Sequence, residues 1–161
     1  MTLRAAELLR RADIVFYDAL VHPDTLALAG HAETMAVGKR CGKHSTAQRF
    51  INKRLIDAAR RHAVVVRLKG GDPLLFGRAQ EEIDALEQAG IEYAVVPGIT
   101  AALAASASLG ISLTRRGMSR NVTFVTPRTG RGEDAHDWAR NALAADTCAV
   151  YMGVGEAARI A

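Results

Sequence analysis

The sequence predicts an α/β protein: a parallel sheet with helices on both faces, followed by part of a second α/β domain. Two observations lead there. Short β-branched and aromatic runs such as "DIVFYD" and "AVVVRLK" alternate with longer stretches of helical apolar spacing, the pattern of strands buried between helix layers. Several of the short runs also end in turn residues, as in "FYD", "KGGDP" and "VVPG". In a parallel sheet the carboxyl ends of the strands share one crevice, where ligands bind.

Taken in order, Leu3 to Leu9 carry apolar residues at helical spacing, and this helix ends at Ala12. "DIVFYD" follows as a buried strand. "HPDTLALA" is a short helix with Pro23 near its first turn, where a missing N–H does no harm. "ETMAVG" is a weak strand and "KRCGKHS" a basic loop. Ser45 or Thr46 can cap a long helix running to about His62. "AVVVRLK" is the next strand. After its Gly-Gly-Asp-Pro turn comes the helix "RAQEEIDALEQAG", closed by Gly90. "IEYAVV" reads as a strand ended by Pro97-Gly98, and "TAALAASASLG" as a helix of small residues closed by Gly110. The polar, basic "ISLTRRGMSR" interrupts this rhythm. Beyond it lie the strand "NVTFVTP", a helix near residues 135 to 145 and the strand "TCAVYMG". The expected division is a first α/β domain over residues 1–114 and a partial second one over 115–161.

With 161 residues, 49% of them hydrophobic and 24% charged, the chain has the composition of an ordinary soluble globular protein. It has no apolar run long enough to cross a bilayer, and its charged start lacks the core of a signal peptide. A cytoplasmic protein with no membrane partner is expected. Cys41 and Cys148 are the only cysteines, and His44 is the one histidine near either. Two ligands on one loop do not make a tetrahedral site, so no metal is expected. The net charge is +4 and arginine outnumbers lysine, which suits an anionic ligand. Nucleic acid is not expected, because the basic residues are scattered and aromatics are few.

The stretch "VVVRLKGGDPLLFGR" is the most informative. Glycines at a strand end let the main chain approach a ligand with no side chain in the way. Asp72 would sit at the crevice mouth as an acceptor, and Pro73 would set the exit of the chain. Taken alone, Gly-Gly-Asp-Pro fits a plain surface turn equally well. The similar endings at Asp18, at Gly98 with Thr100, and at Met152-Gly153 favour a nucleotide-like ligand held by backbone groups. Neither the dinucleotide glycine fingerprint nor the Walker lysine loop is present.

The segments "YDALV", "VGKRCGKHS", "VVRLKGGDPLLFGR", "VVPGITAA", "GISLTRR" and "VYMG" stand in the order found in the uroporphyrinogen-III C-methyltransferases. That family includes the methyltransferase domain of siroheme synthases. The resemblance implies a homodimeric enzyme of two α/β domains with its active site in the cleft between them. It would use S-adenosyl-L-methionine to methylate uroporphyrinogen III to precorrin-2, for siroheme and cobalamin. It also implies roles at matching positions: Asp18 as proton acceptor and Lys39 as proton donor, and Gly70, Gly71, Asp72, Leu75, Thr100, Ala101 and Met152 at the methyl donor. Arg78, with Glu81 one helical turn on, would face the tetrapyrrole and its carboxylates.

The chain departs from the family pattern at both ends. It begins after the family's first strand and glycine loop and stops before a further donor-binding glycine. "LTRR", "TPRTG" and "GRAQEE" stand where the family commonly has Leu-Thr-His-Arg, Thr-Gly-His and Gly-Arg-Gly-Gly-Glu-Glu. The last of these adds bulk beside the expected pocket. Two rival readings follow: a methylase of a later corrin precursor, or an inactive fragment that binds an anionic ligand or a partner chain.

Overall fold

The computed structural model describes residues 1–37, 45–130 and 137–160. They belong to two compact units, Met1–Thr100 and Ala101–Ala161.

The first unit is built on three parallel strands, β1 (Ile14–Tyr17), β2 (Glu33–Ala36) and β3 (Val65–Leu68), in the order β2-β1-β3. Ile14 pairs with both Glu33 and Val65, and Tyr17 with both Ala36 and Leu68. The strands therefore end together, at one edge of the sheet.

Successive side chains of β1 point to opposite faces, and each face has its own core. Ile14 and Phe16 pack with Ile51, Leu55 and Ala58 of helix α3 (Ser45–Ala59). Val15 packs with Leu9 of α1 (Leu3–Arg11), Ala12 and Ala29. Val15 is fully buried and Phe16 is 2% exposed; each such side chain contributes roughly 1.5–3 kcal/mol of burial energy. Helices thus cover both faces of a parallel sheet, as expected from the sequence.

Local signals set the ends of the elements. Thr2 Oγ1 accepts a hydrogen bond from Ala5 N at 3.3 Å and caps α1. Pro23 opens α2 (Pro23–Leu26). Ser45 and Thr46 lie inside α3, which ends at Ala59, short of His62. Helix α4 (Ala79–Gln88) closes on Gly90 at φ +66°. Gly90 N donates to Glu87 O at 3.0 Å and Ile91 N to Leu86 O at 2.9 Å, the paired bonds of a left-handed glycine terminus. Helix α5 (Ala101–Leu109) ends on Gly110 in the same way.

The expected strand at "IEYAVV" is not one. Residues 91–100 form no ladder with the described strands. A β-rich run becomes a strand only where a neighbour completes its hydrogen bonds, and among the described residues β3 pairs only with β1.

In the second unit β4 (Val122–Val125) and β5 (Thr147–Val150) pair in parallel, with α6 (Trp138–Leu143) between them in the chain. Asp137 Oδ1 caps α6, accepting from Arg140 N at 3.1 Å. Asp146 and Asn121 clamp the starts of the two strands. Asp146 Oδ2 accepts from Arg120 N at 2.8 Å, while Asp146 N donates to Asn121 Oδ1 at 2.8 Å. Helix α5 falls in this unit, whereas the sequence expectation assigns residues 101–114 to the first domain. The short helix α7 (Ala157–Ile160) follows. No helix among the described residues is long and apolar enough to cross a membrane.

Candidate functional site

Because β1 and β3 end level, the residues after them are neighbours. Asp18 makes a tight turn, its Oδ1 accepting from Leu20 N at 3.0 Å. Gly70 runs directly against that turn, since a Cβ at Gly70 would lie 2.9 Å from Leu20 Cβ. Gly71 bends the chain at φ +79°, a conformation that glycine adopts without strain. Asp72 then uses both carboxylate oxygens on main chain. Oδ1 accepts from Leu74 N and Oδ2 from Gly98 N, each at 2.9 Å.

Gly98 is pressed so closely on this turn that a Cβ there would lie 2.1 Å from Gly71 O. Each residue of Gly-Gly-Asp therefore has a separate task. Gly70 admits the β1 turn, Gly71 makes the bend, and Asp72 stitches the bend to Pro97-Gly98. Both oxygens of the Asp72 carboxylate are thus engaged by main-chain N–H groups of the protein itself.

The following loop folds back on itself. A Cβ at Gly77 would lie 2.5 Å from Pro73 O. Phe76 and Arg78 on either side both adopt left-handed backbone, at φ 51° and 54°. Such a conformation costs a non-glycine residue about 1–3 kcal/mol and persists where surrounding structure over-determines it. Leu75, in the same loop, is half-buried, with its N–H on Asp72 O at 3.4 Å. Arg78 meets Glu81 in a two-pronged pair, Nε to Oε1 and Nη2 to Oε2, each at 2.6 Å. Both side chains are close to half exposed, and the hydrogen bond that Arg78 donates to Glu81 raises the guanidinium pKa. Gln80 donates to Asp84 Oδ1 at 2.7 Å on the exposed side of α4, and only Ala79 of the "AQ" pair is buried.

Beneath this loop lies a charge cluster that the sequence reading missed. Glu82 of α4 is 5% exposed. It accepts from Arg67 Nε at 3.1 Å, from Lys69 Nζ at 3.2 and 3.1 Å, and from Gln48 Nε2 at 3.3 Å. Asn52 Nδ2 donates to Glu81 O at 3.0 Å and ties α3 to the same turn of α4. The signal was available in "RLK": charges two apart in a buried strand share one face and need a common partner there.

Burial lowers the Lys69 pKa below its ordinary 10.5, and Arg67 adds to this while Glu82 opposes it. The folded protein thus releases this proton more readily than the unfolded chain. In the alkaline window below 10.5 the unfolded state binds more protons, so stability from this group rises with pH. Urea titrations towards pH 10.5 should show wild type gaining on Lys69→Met. A pH-independent gap between the two proteins would refute this.

In the second unit the main chain leaving β5 meets the start of α5. Tyr151 N donates to Val125 O at 2.8 Å, and Tyr151 Oη accepts from Ala102 N at 3.0 Å. The Tyr151 ring stands edge-on to Phe124, centroids 5.9 Å apart. Ala101 and Met152 flank this bonded pair in the chain. Met152 is 48% exposed with left-handed backbone at φ 57°. Cys148 is half-buried in β5, where desolvation raises its thiol pKa; it remains a protonated thiol at neutral pH.

The structure thus gathers Asp18, Gly70, Gly71 and Asp72 at the sheet edge of the first unit, with Gly98, two residues before Thr100, bonded to them. Ala101 and Met152 lie beside one hydrogen bond in the second. Lys39, Cys41 and His44 lie outside the described residues. Among the described residues no three His, Cys, Asp or Glu side chains gather as metal ligands would.

Comparison with known proteins matches residues 1–161 to the Tetrapyrrole (Corrin/Porphyrin) Methylases. Siroheme synthases of Sodalis glossinidius and Zymomonas mobilis are each 48% identical over 161 residues, covering 99% of this chain and 34% of theirs. The chain spans about a third of the length of these curated relatives. A uroporphyrin-III C-methyltransferase from Thermus thermophilus, solved with S-adenosyl homocysteine, superimposes with a TM-score of 0.79 at 40% identity, covering 97% of this chain and 65% of that one. A cobalt precorrin-4 methyltransferase gives 0.82 at 26% identity, covering 99% and 66%. With the family model matched over residues 1–161 and the parallel-sheet fold shared with these solved enzymes, this chain belongs to the tetrapyrrole (corrin/porphyrin) methylase family.

Proposed function

We propose that the chain carries the S-adenosyl-L-methionine-dependent C-methyltransferase activity that converts uroporphyrinogen III to precorrin-2 in siroheme and cobalamin biosynthesis. The observation that carries this reading is the meeting of the Asp18, Gly70–Asp72 and Gly98 turns at the carboxyl edge of the sheet. The methyl donor would supply a methyl group on a cationic sulfonium; transfer to an electron-rich pyrrole carbon would break the sulfur–methyl bond and release neutral S-adenosyl homocysteine. The protein's task is alignment and proton transfer.

Gly70, Gly71 and Asp72 offer bare main chain for close approach. Leu75, Thr100, Ala101 and Met152 complete the donor contacts. Asp18 commits Oδ1 to Leu20 N and uses Oδ2 to accept the proton that leaves the methylated macrocycle. Lys39 is the proton donor of this reading. Arg78 and Glu81 meet the tetrapyrrole, whose carboxylates compete with Glu81 for the guanidinium. The same reading keeps the domain division at 114/115, and makes the protein a cytoplasmic homodimer with no nucleic-acid partner. The family resemblance and the S-adenosyl homocysteine complex of the Thermus relative support it.

A second reading, methylation of a later corrin precursor, draws on the fold shared with the cobalt precorrin-4 methyltransferase. Incubation with uroporphyrinogen III and labelled S-adenosyl-L-methionine separates the readings, with a methylated product expected. Donor binding without turnover would favour another acceptor. Absence of both would make the chain an inactive fragment.

Arg78→Ala should raise the KM for the tetrapyrrole roughly tenfold or more, because it removes a charge-assisted donor and leaves Glu81 to repel an anionic substrate. Donor affinity should stay unchanged. Equal losses for both ligands would remove Arg78 from the substrate role.

A further inference from the structure

We infer that Tyr151 is a positioning residue of the donor site, its hydroxyl oxygen holding the first turn of α5 to the end of β5 so that Ala101 and Met152 serve one ligand. This rests on the proposed methyl-donor role of those two residues. Three observations within the second unit carry it.

First, Tyr151 Oη accepts from Ala102 N at 3.0 Å, across 49 positions of sequence. Ala102 N is among the first N–H groups of α5, which have no partner inside the helix. A phenol oxygen thus satisfies it from a different element. Ala102 is itself 8% exposed, so this amide has little access to solvent that could substitute for the bond.

Second, Tyr151 is held on its other sides. Its N–H extends the β4–β5 ladder to Val125 O at 2.8 Å, and its ring meets Phe124 edge-on at 85°. A side chain anchored at backbone and ring gives its hydroxyl a defined position. A tyrosine on the surface would not do so.

Third, the backbone changes direction immediately afterwards. Met152 is left-handed at φ 57°. Gly153 is buried, and a Cβ there would lie 2.8 Å from Val150 Cγ1. The bend at 152 is therefore set from both sides: by the Tyr151 anchor before it and by the close packing of Gly153 after it. Without the hydroxyl, the start of α5 and the bend at 152 lose their direct polar link, and the two proposed donor contacts move independently.

The test uses Tyr151→Phe in the full chain, which deletes one oxygen and keeps the ring on Phe124. Phe124→Leu is the packing control. Calorimetry with S-adenosyl homocysteine should give a Kd about tenfold weaker for Tyr151→Phe, the upper range for one lost hydrogen bond. Steady-state assays should show a matching rise in donor KM with tetrapyrrole KM unchanged. Phe124→Leu should lower the melting temperature while leaving donor Kd within about threefold of wild type.

An unchanged Kd in Tyr151→Phe would overturn the inference while leaving the methyltransferase reading intact. So would equal weakening by Phe124→Leu, since packing would then account for the effect. Failure of the wild-type chain to bind S-adenosyl homocysteine would overturn both.

Discussion

Glu82→Ala should cost about 3–5 kcal/mol of folding stability, the range for breaking a buried ion pair from one side. Glu82 takes hydrogen bonds from Arg67 and Lys69, and the three side chains are 6%, 15% and 7% exposed. Removing the carboxylate leaves two cations facing each other in a poorly solvated space. Their repulsion is already felt in the native protein, where Arg67 helps to lower the Lys69 pKa. Lys69 immediately precedes Gly70, so the damage falls where the strand leads into the turn. Glu82→Gln keeps the shape and drops the charge, and should cost less than the alanine change. Replacing all three by apolar residues of similar volume should recover most of the loss, because desolvation of the charges is then avoided. Urea midpoints of the three variants decide the matter. A loss below about 1 kcal/mol for Glu82→Ala would mean that the cluster is solvated and contributes little.

Gly98→Ala should have the largest effect on ligand binding. The added Cβ would lie 2.1 Å from Gly71 O, 3.0 Å from Gly71 C and 3.1 Å from Asp72 Cα. All three are backbone atoms, so no flexible side chain can swing aside. The two turns must separate, and the bond from Gly98 N to Asp72 Oδ2 at 2.9 Å is strained or broken. Overpacking of this kind costs about 1–3 kcal/mol of stability. The binding loss should be larger in proportion, more than roughly tenfold in Kd for S-adenosyl homocysteine, because the proposed seat is itself displaced. Gly90→Ala supplies the control. Its φ is +66° but a Cβ meets nothing within 4 Å, so it should cost about 1–2 kcal/mol of stability and leave binding alone. If Gly98→Ala binds the ligand like wild type, the apposed turns are not the donor seat.

Much of the fold was legible because it depends on local pattern. "DIVFY" and "AVVVRL" were readable as strands because β-branched runs of that length between helical stretches fit a sheet covered by helices, and each finds a parallel neighbour. Gly90 and Gly110 ended their helices as expected, because a left-handed terminus asks for glycine within the segment itself. The "IEYAVV" segment was misread for the opposite reason. Its residue types fit a strand, but a ladder is a property of two segments, and no described strand pairs with it.

The candidate site divides along the same line. Glycines and an aspartate after β3 were enough to mark a tight turn at Gly70, Gly71 and Asp72 from the chain alone, for a backbone that must bend and be approached closely admits few residue types. What each does was decided by partners remote in sequence. Asp72 is occupied by Gly98, Gly70 by Leu20, Tyr151 by Ala102, and Lys69 and Arg67 by Glu82. Backbone conformation and burial are constrained by neighbours along the chain, so the turn and the layers were legible in the residues themselves. Hydrogen bonds and charge pairs join segments that only folding brings within about 3 Å, so the partners of Asp72, Tyr151 and Glu82 could be read only from the folded chain.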